Sequence, residues 1–224
     1  MATQLRDGLW WFELRASNAY LVEDGVPTLV DAGTPWDPAA LREGIRDTGV
    51  AVSDIERVLL THYDLDHVGA LAALTPELDA TVHVGAFDGD LLRGRQSPPL
   101  TNHKGLIQRL GSLLTSQPAL DLRTVDDREV VGSFTAYHTP GHTPGHVVYV
   151  SEALGIAFLG DLVRTTDEGL SPSPWLINYD SGVLRASIRA LAERAPPFEV
   201  ACAGHGDPLT SGGGDALATL AASL

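Results

Sequence analysis

One cysteine and one lysine stand among 224 residues, and each scarcity removes a class of explanation. Cys202, alone in the apolar run FEVACA, can form no internal disulfide and reads as a small core residue rather than a thiol catalyst. No run approaches the roughly 18 consecutive apolar residues of a membrane span. The opening MATQLRDGLWWFEL lacks the charged-then-apolar pattern of a signal peptide, so a soluble, cytoplasmic protein without a membrane partner is expected. Positive charge is also thin: fourteen arginines and Lys104 face 29 acids, for a net charge of −14. That balance disfavours nucleic acid as a partner, because tight binding needs Lys and Arg to neutralise phosphates. The argument weakens in molar salt, where the Debye length falls to about 3 Å. An acidic surface suits a halophilic source, and a GC-rich genome would equally favour arginine over lysine.

Apolar content of 44% is enough for a substantial core in one domain spanning 1–224, with no internal repeat and no linker to divide it. WWFEL (10–14), AYLVE (19–23) and TLVDAG (28–33) read as strands, the last two joined across Asp24-Gly25. Pro38 to Thr48 has helical spacing behind a possible Asp37 cap. RVLL (57–60) and TVHV (81–84) are strands around a helix expected over 66–74. From 86 to 120 the pattern changes. Leu106, Ile107, Leu110, Leu113 and Leu114 mark one face of an amphipathic helix between Ser/Pro/Gln-rich stretches, as in a lid insertion. Strands return at 134–138, 146–150, 156–160 and 198–203, with helices over 181–194 and through Leu217 and Leu220. Such an order suggests stacked sheets faced by helices.

The stretch LLTHYDLDHVGAL (59–71) crowds His62, Asp64, Asp66 and His67 behind an apolar strand. Two carboxylates so close repel each other, and a cation would compensate them. His142 lies in HTPGHTPGH, Asp161 ends FLGD, and His205 lies in AGHG. Four loops that each deliver His or Asp where a strand runs out point to a catalytic metal held by nitrogen and oxygen donors. Of the other histidines, His138 and His146 flank His142, and spacing alone does not choose among the three. His83 alternates with Val82 and Val84 as a strand residue, and His103 reads as solvated or facing substrate. Asp31 can orient a metal-bearing loop or simply accept backbone N–H bonds at its strand end.

THYDLDHVGAL resembles the HxHxDH motif of the metallo-beta-lactamase superfamily. HTPGHTPGH, FLGD and AGHG are similar to that family's later motifs, in order, and TLVDAG to the strand before them. The resemblance implies an α+β fold, a four-layer αββα sandwich of two mixed sheets flanked by helices, with a dinuclear metal site at one edge. It assigns His62 and His142 to one metal, Asp66, His67 and His205 to the other, and Asp161 to both. It also selects His142 over its neighbours, leaving His138 and His146 as supporting partners. Asp64 departs from the family's usual histidine and stands either as a ligand or as a bystander. The implied cofactors are two divalent ions, zinc as first choice and Mn or Fe as alternatives.

Two such ions about 3.5–4 Å apart share a water and generate hydroxide near neutral pH. Asp66 would hold that water while ligating the second metal. The implied function is hydrolysis of a small-molecule ester, thioester or lactone by a metal-bridging hydroxide. A phosphodiesterase or small nuclease is the alternative enzyme, and a redox or binding module with a modified site is the alternative of another class. Trp175 and Tyr179 can supply a wall opposite the 86–120 segment or pack in the core. Oligomeric state is left open.

Overall fold

The apolar run of AYLVE is buried throughout, and its alternate residues serve two different cores. In the computed structural model, which describes residues 1–224, this run lies in β3 (Asn18–Glu23). Ala19 and Leu21 join one cluster of buried side chains, while Tyr20 and Val22 join a second. A strand of period two that is buried on both faces must lie between two layers.

β1 (Ala2–Arg6), β2 (Leu9–Glu13), β3, β4 (Pro27–Val30), β5 (Arg57–Leu59), β6 (Thr81–Gly85) and β7 (Asp121–Val125) lie side by side in a seven-stranded sheet. Pairing is antiparallel from β1 to β4 and parallel from β4 to β7. The second sheet runs through β8 (Val130–Val131), β9 (Phe134–His138), β10 (Val147–Ser151) and β11 (Ile156–Gly160). A separate hairpin, β12 (Val163–Thr166) with β13 (Gly169–Pro172), precedes β14 (Val200–Ala203), which pairs parallel to β11.

Three buried clusters fill the three spaces between four layers. Phe12, Leu21 and Val82 meet Leu41 and Ile45 of α1 (Pro38–Asp47), Leu71 and Leu74 of α3 (Leu71–Leu74) and Leu91 of α4 (Ala86–Leu92). Tyr20, Val30, Phe134, Tyr149, Phe158 and Cys202 pack between the sheets. Val148, Ala157 and Leu159 meet Leu184 and Ile188 of α6 (Ser181–Arg194) and Leu217 of α7 (Gly213–Ser223). The architecture is the αββα sandwich expected from the sequence. No helix is long and apolar enough to cross a membrane.

Several boundaries differ from the sequence reading for physical reasons. The helix expected over 66–74 is two short ones, α2 (Leu65–Val68) and α3, divided at Gly69-Ala70. A Cβ on Gly69 would sit 2.5 Å from the Pro35 nitrogen, so the chain is pressed against the 32–36 loop there. β1 and β7 were not expected, because edge strands such as ATQLR and DLRTV expose polar side chains and lose their apolar alternation. The short α4 lies inside the segment read as a lid, yet it packs on the outer face of the first sheet. The amphipathic helix expected in this segment is α5 (His103–Ser112). Its apolar residues are exposed, Leu110 to 61% and Leu113, just beyond its end, to 79%, whereas Lys104, Gly105 and Gln108 are buried.

The strands aim four loops at one edge. β4 ends before Asp31, β5 before Thr61-His62, β11 before Asp161 and β14 before Gly204-His205. Ligand sites in open α/β sheets lie beyond the carboxyl ends of strands, and this edge is that place in both sheets.

Candidate metal centre

The seven residues expected as metal ligands converge at this edge. Donor atoms of His62, Asp64 and His142 lie within 4.8 Å of one another, as do those of His62, His67 and Asp161, and those of Asp66, His67 and His205. Asp161 stands between the groups, 3.4 Å from His67 Nε2, 3.6 Å from His142 Nε2 and 3.1 Å from His205 Nε2. His62, His67 and His142 are fully buried, and Asp66 and His205 are partly open.

Supporting residues aim the imidazoles. Asp31 Oδ1 accepts the Thr61 backbone N–H at 2.9 Å, and its Oδ2 accepts the Thr61 hydroxyl at 2.8 Å. The same Oδ2 lies 2.8 Å from His67 Nδ1 and accepts its N–H. Thr61 Oγ1, its own proton committed to Asp31, accepts from His62 Nδ1 at 3.0 Å. One carboxylate thus fixes both rings with Nε2 facing the centre, as carboxylate–histidine–metal arrangements do. Both readings of Asp31 hold together: it orients the loop and caps the strand end. Its φ of 55° is a left-handed conformation that Asp tolerates better than most residues. On the other side, Asn178 Oδ1 accepts from His142 Nδ1 at 3.2 Å.

His146 is a supporting partner. Its Nε2 accepts the Asp161 backbone N–H at 3.1 Å, and its Nδ1 donates to Thr139 Oγ1 at 2.8 Å. His138 is exposed and bonds the Pro144 carbonyl; exposed His103 lies 3.3 Å from the Trp175 carbonyl. His83 is a strand residue, as expected, and its buried Nδ1 has no hydrogen-bond partner. Two glycines permit the close approach. Gly160, at φ 50°, bulges β11 and turns Asp161 inward. A Cβ on Gly204 would lie 2.1 Å from Asp161 Oδ1 and 2.8 Å from His67 Cε1.

A divalent cation fits these residues. The buried His62 Nε2, His67 Nε2 and Asp161 Oδ1 have no hydrogen-bond partner, and each unmet buried polar atom costs about 1–3 kcal/mol. A cation between them satisfies all three. The donor set of imidazole and carboxylate suits zinc, iron or manganese. The electrostatics are divided accordingly. Burial, with the neighbouring His67 charge, pushes His62 down to about 4. Burial also opposes protonation of His67, but Asp161, Asp31 and Asp66 outweigh it and raise that ring well above the usual range. Burial resists ionisation of Asp161, yet His67 and His205 hold its carboxyl well below the usual carboxylate value.

Several functional residues were not found from the sequence. Asn18 Nδ2 donates to the Ala203 and Gly206 carbonyls at 3.0 and 2.7 Å, clamping the loop that carries His205. Gln108 and Lys104 reach Asp64 from α5. Asp88, buried in α4, accepts from Tyr63 N–H at 2.8 Å, Thr143 Oγ1 at 2.7 Å and Gly145 N–H at 2.9 Å, tying the His62 and His142 loops together. The single lysine inside an apolar-spaced helix was the one available signal.

Asp88 carries a testable pH dependence. Burial pushes its carboxyl up to about 6, and the Asp64 charge adds to that against the three hydrogen bonds. Between its ordinary value and about 6 the folded chain therefore binds more protons than the unfolded one. Asp88 favours folding below that window and disfavours it progressively as pH rises, by about 3 kcal/mol in total. Asp88→Asn removes this titration. Denaturant melts from pH 4 to 6.5 should show the variant gaining on wild type by about that amount; a pH-independent difference would overturn the assignment.

The comparisons with known proteins agree with this geometry. Fold and donor cluster define the class: a four-layer protein with a metal-binding edge. A family model described as metallo-beta-lactamase superfamily matches residues 13–205, and the chain belongs to that superfamily. It is 29% identical over 223 residues to the probable metallo-hydrolase YqjP of Bacillus subtilis (strain 168), covering 86% of this chain and 67% of that protein. The crystal structure of TTHA1623 in a di-iron-bound form superposes with a TM-score of 0.69 and 31% identity, covering 93% of this chain and 95% of that one. BJP-1, a subclass B3 metallo-beta-lactamase of Bradyrhizobium japonicum, shares the fold with a TM-score of 0.71 at 23% identity, over 100% of this chain and 90% of its own.

Proposed function

We propose that this chain is a metal-dependent hydrolase of esters, thioesters or lactones that carry an apolar acyl group. One observation carries the reading: a cavity of about 610 Å³ has Asp64, Asp66, Asp161 and His205 on its lining together with Trp36, Leu65, Ile107, Leu110, Leu114 and Ile177. Its size falls among small-molecule sites, about 300–1,000 Å³. The orientation of α5 explains the apolar wall, since the exposed apolar face of this helix has substrate to cover it. This gives the 86–120 segment its role: α5 selects substrate, while α4 belongs to the scaffold. Tyr179 steadies α5 by donating its hydroxyl to Gln108 Oε1 at 2.6 Å, and Ile177 rather than exposed Trp175 supplies the facing wall.

Asp66, His67, Asp161 and His205 would hold a divalent cation, zinc first with Mn or Fe as alternatives, and that ion would supply hydroxide near neutral pH and polarise the scissile carbonyl. The chain's own residues do the positioning. Asp66 lines the cavity with Oδ2 among the donor atoms, 3.6 Å from His205 Nε2, and its second oxygen accepts a hydrogen bond from the attacking water and orients it. The apolar wall fixes the acyl group and excludes bulk water from the carbonyl. Lys104, the one lysine or arginine on the lining, is already engaged by Asp64, and the net charge is −14. Both features favour an acyl substrate over a phosphodiester.

The test is a panel of acyl esters, thioesters and lactones from two to twelve carbons, run on protein stripped of metal and then reloaded. Turnover should appear only after reloading, and kcat/KM should climb with chain length, about threefold to fourfold for each buried CH₂. Equal rates for short and long chains would remove the acyl assignment, and preferential cleavage of phosphodiesters would replace it.

A further inference from the structure

The chain's only lysine is buried to 4% exposure beside the His62, Asp64 and His142 donors. Its ammonium bonds Asp64 Oδ2 and lies 3.3 Å from His142 Nε2. Asp64 Oδ2 is also 3.0 Å from His142 Nε2 and 3.4 Å from His62 Nε2. Asp64 Oδ1 accepts from Gln108 at 2.9 Å. Both oxygens of this carboxylate are therefore held by residues four apart on one face of α5. The contact is braced from outside. Asn102 caps α5, accepting the Lys104 backbone N–H at 2.9 Å and donating to the Tyr179 carbonyl at 2.9 Å.

From this geometry we propose that Lys104 is a built-in cation of the His62/Asp64/His142 donor set and competes there with a divalent ion. The inference rests on the metal-centre reading above and makes the two donor sets unequal. An ammonium needs N···O and N···N separations of about 2.7–3.3 Å, and a zinc ion needs ligands at about 2.0–2.2 Å. The two cannot share the same carboxylate oxygen and imidazole nitrogen, because their charges repel across that spacing. Asp66, His67, Asp161 and His205 have no lysine or arginine among them, and they take the first ion tightly. A second ion binds at His62, Asp64 and His142 only by driving Lys104 out, which breaks one of the two side-chain bonds from α5 to Asp64 and leaves Gln108 on Oδ1.

The dependence explains why aspartate stands where the family's motif has histidine. An imidazole there would be a neutral ligand and a poor partner for an ammonium. A carboxylate accepts from Lys104 and Gln108 together and fastens the substrate-selecting helix to the centre.

Cobalt and zinc titrations of the stripped full chain, followed by visible absorption and elemental analysis, test the proposal without any turnover measurement. Wild type should bind one equivalent tightly and the second at least about 100-fold more weakly. Lys104→Met and Lys104→Gln should strengthen the second equivalent about tenfold or more while leaving the first within about threefold. Two wild-type sites within tenfold of each other would overturn the proposal whether or not the variants fold. Folded variants with an unchanged second site would overturn it as well. A chain that binds no metal in any form would instead defeat the metal-centre reading itself.

Discussion

Asp161→Ala should lower kcat/KM on any ester the chain hydrolyses by about a thousandfold and reduce the metal retained after dialysis. Its carboxylate lies within 3.6 Å of the Nε2 atoms of His67, His142 and His205, so its removal opens the gap between the donor sets. Polarisation of a carbonyl by a metal contributes several kcal/mol, and a loss of about 4 kcal/mol is roughly 10³ in rate. The side chain also balances His67, whose raised proton affinity depends most on Asp161 among the charges around it. Without that charge, the ring has less reason to stay protonated in the metal-free chain. Kinetics and elemental analysis on the same preparation decide the matter. A variant with full metal content and wild-type kcat/KM would show that Asp161 is only packed against the centre.

Asp31→Asn should cost about 10–100-fold in affinity for the first metal while leaving the melting temperature of the stripped chain within a few degrees. Asparagine tolerates the left-handed φ of 55° that this position requires, so the backbone is kept. The proton arrangement is not. With its oxygen kept on the Thr61 N–H, the amide NH₂ faces Thr61 Oγ1 and His67 Nδ1, where the native oxygen accepted two protons. His67 would then accept at Nδ1 and carry its proton on Nε2, the atom needed for the metal. The substitution therefore damages tautomer rather than shape, as a carboxylate-to-amide change behind a catalytic histidine does in general. Zinc competition against a chromophoric chelator gives the affinity. Unchanged affinity would mean that Asp31 serves the strand end alone.

The sequence was most informative where chemistry and secondary-structure period coincide. His62, Asp66, His67, Asp161 and His205 each follow an apolar run that had to be a strand, so their common edge could be anticipated once the strands stacked. The core strands are short unbroken apolar runs and were found, whereas β1 and β7 are edges whose exposed polar residues leave no such run. Asp88 and Asn18 were invisible for a different reason. The loops they tie down lie 25 to 188 residues away along the chain, and no local pattern records such bonds. Helix α5 was located, but the direction of its faces was not legible. Amphipathic spacing gives a helix and two faces, and here the buried carboxylate of Asp64 takes the polar one through Lys104 and Gln108. For the same reason Asp64, read as a ligand or a bystander, has a third role as the anchor of that helix.

The most direct measurement of the central claim is the rate on a long-chain acyl ester, plotted against divalent metal bound per chain, for stripped protein reloaded stepwise. The account predicts a rate at least about a thousandfold lower without metal, rising in step with the ion that fills Asp66, His67, Asp161 and His205. A stripped chain that keeps its full rate, or a fully loaded chain that turns over no member of the ester, thioester and lactone panel, would contradict it.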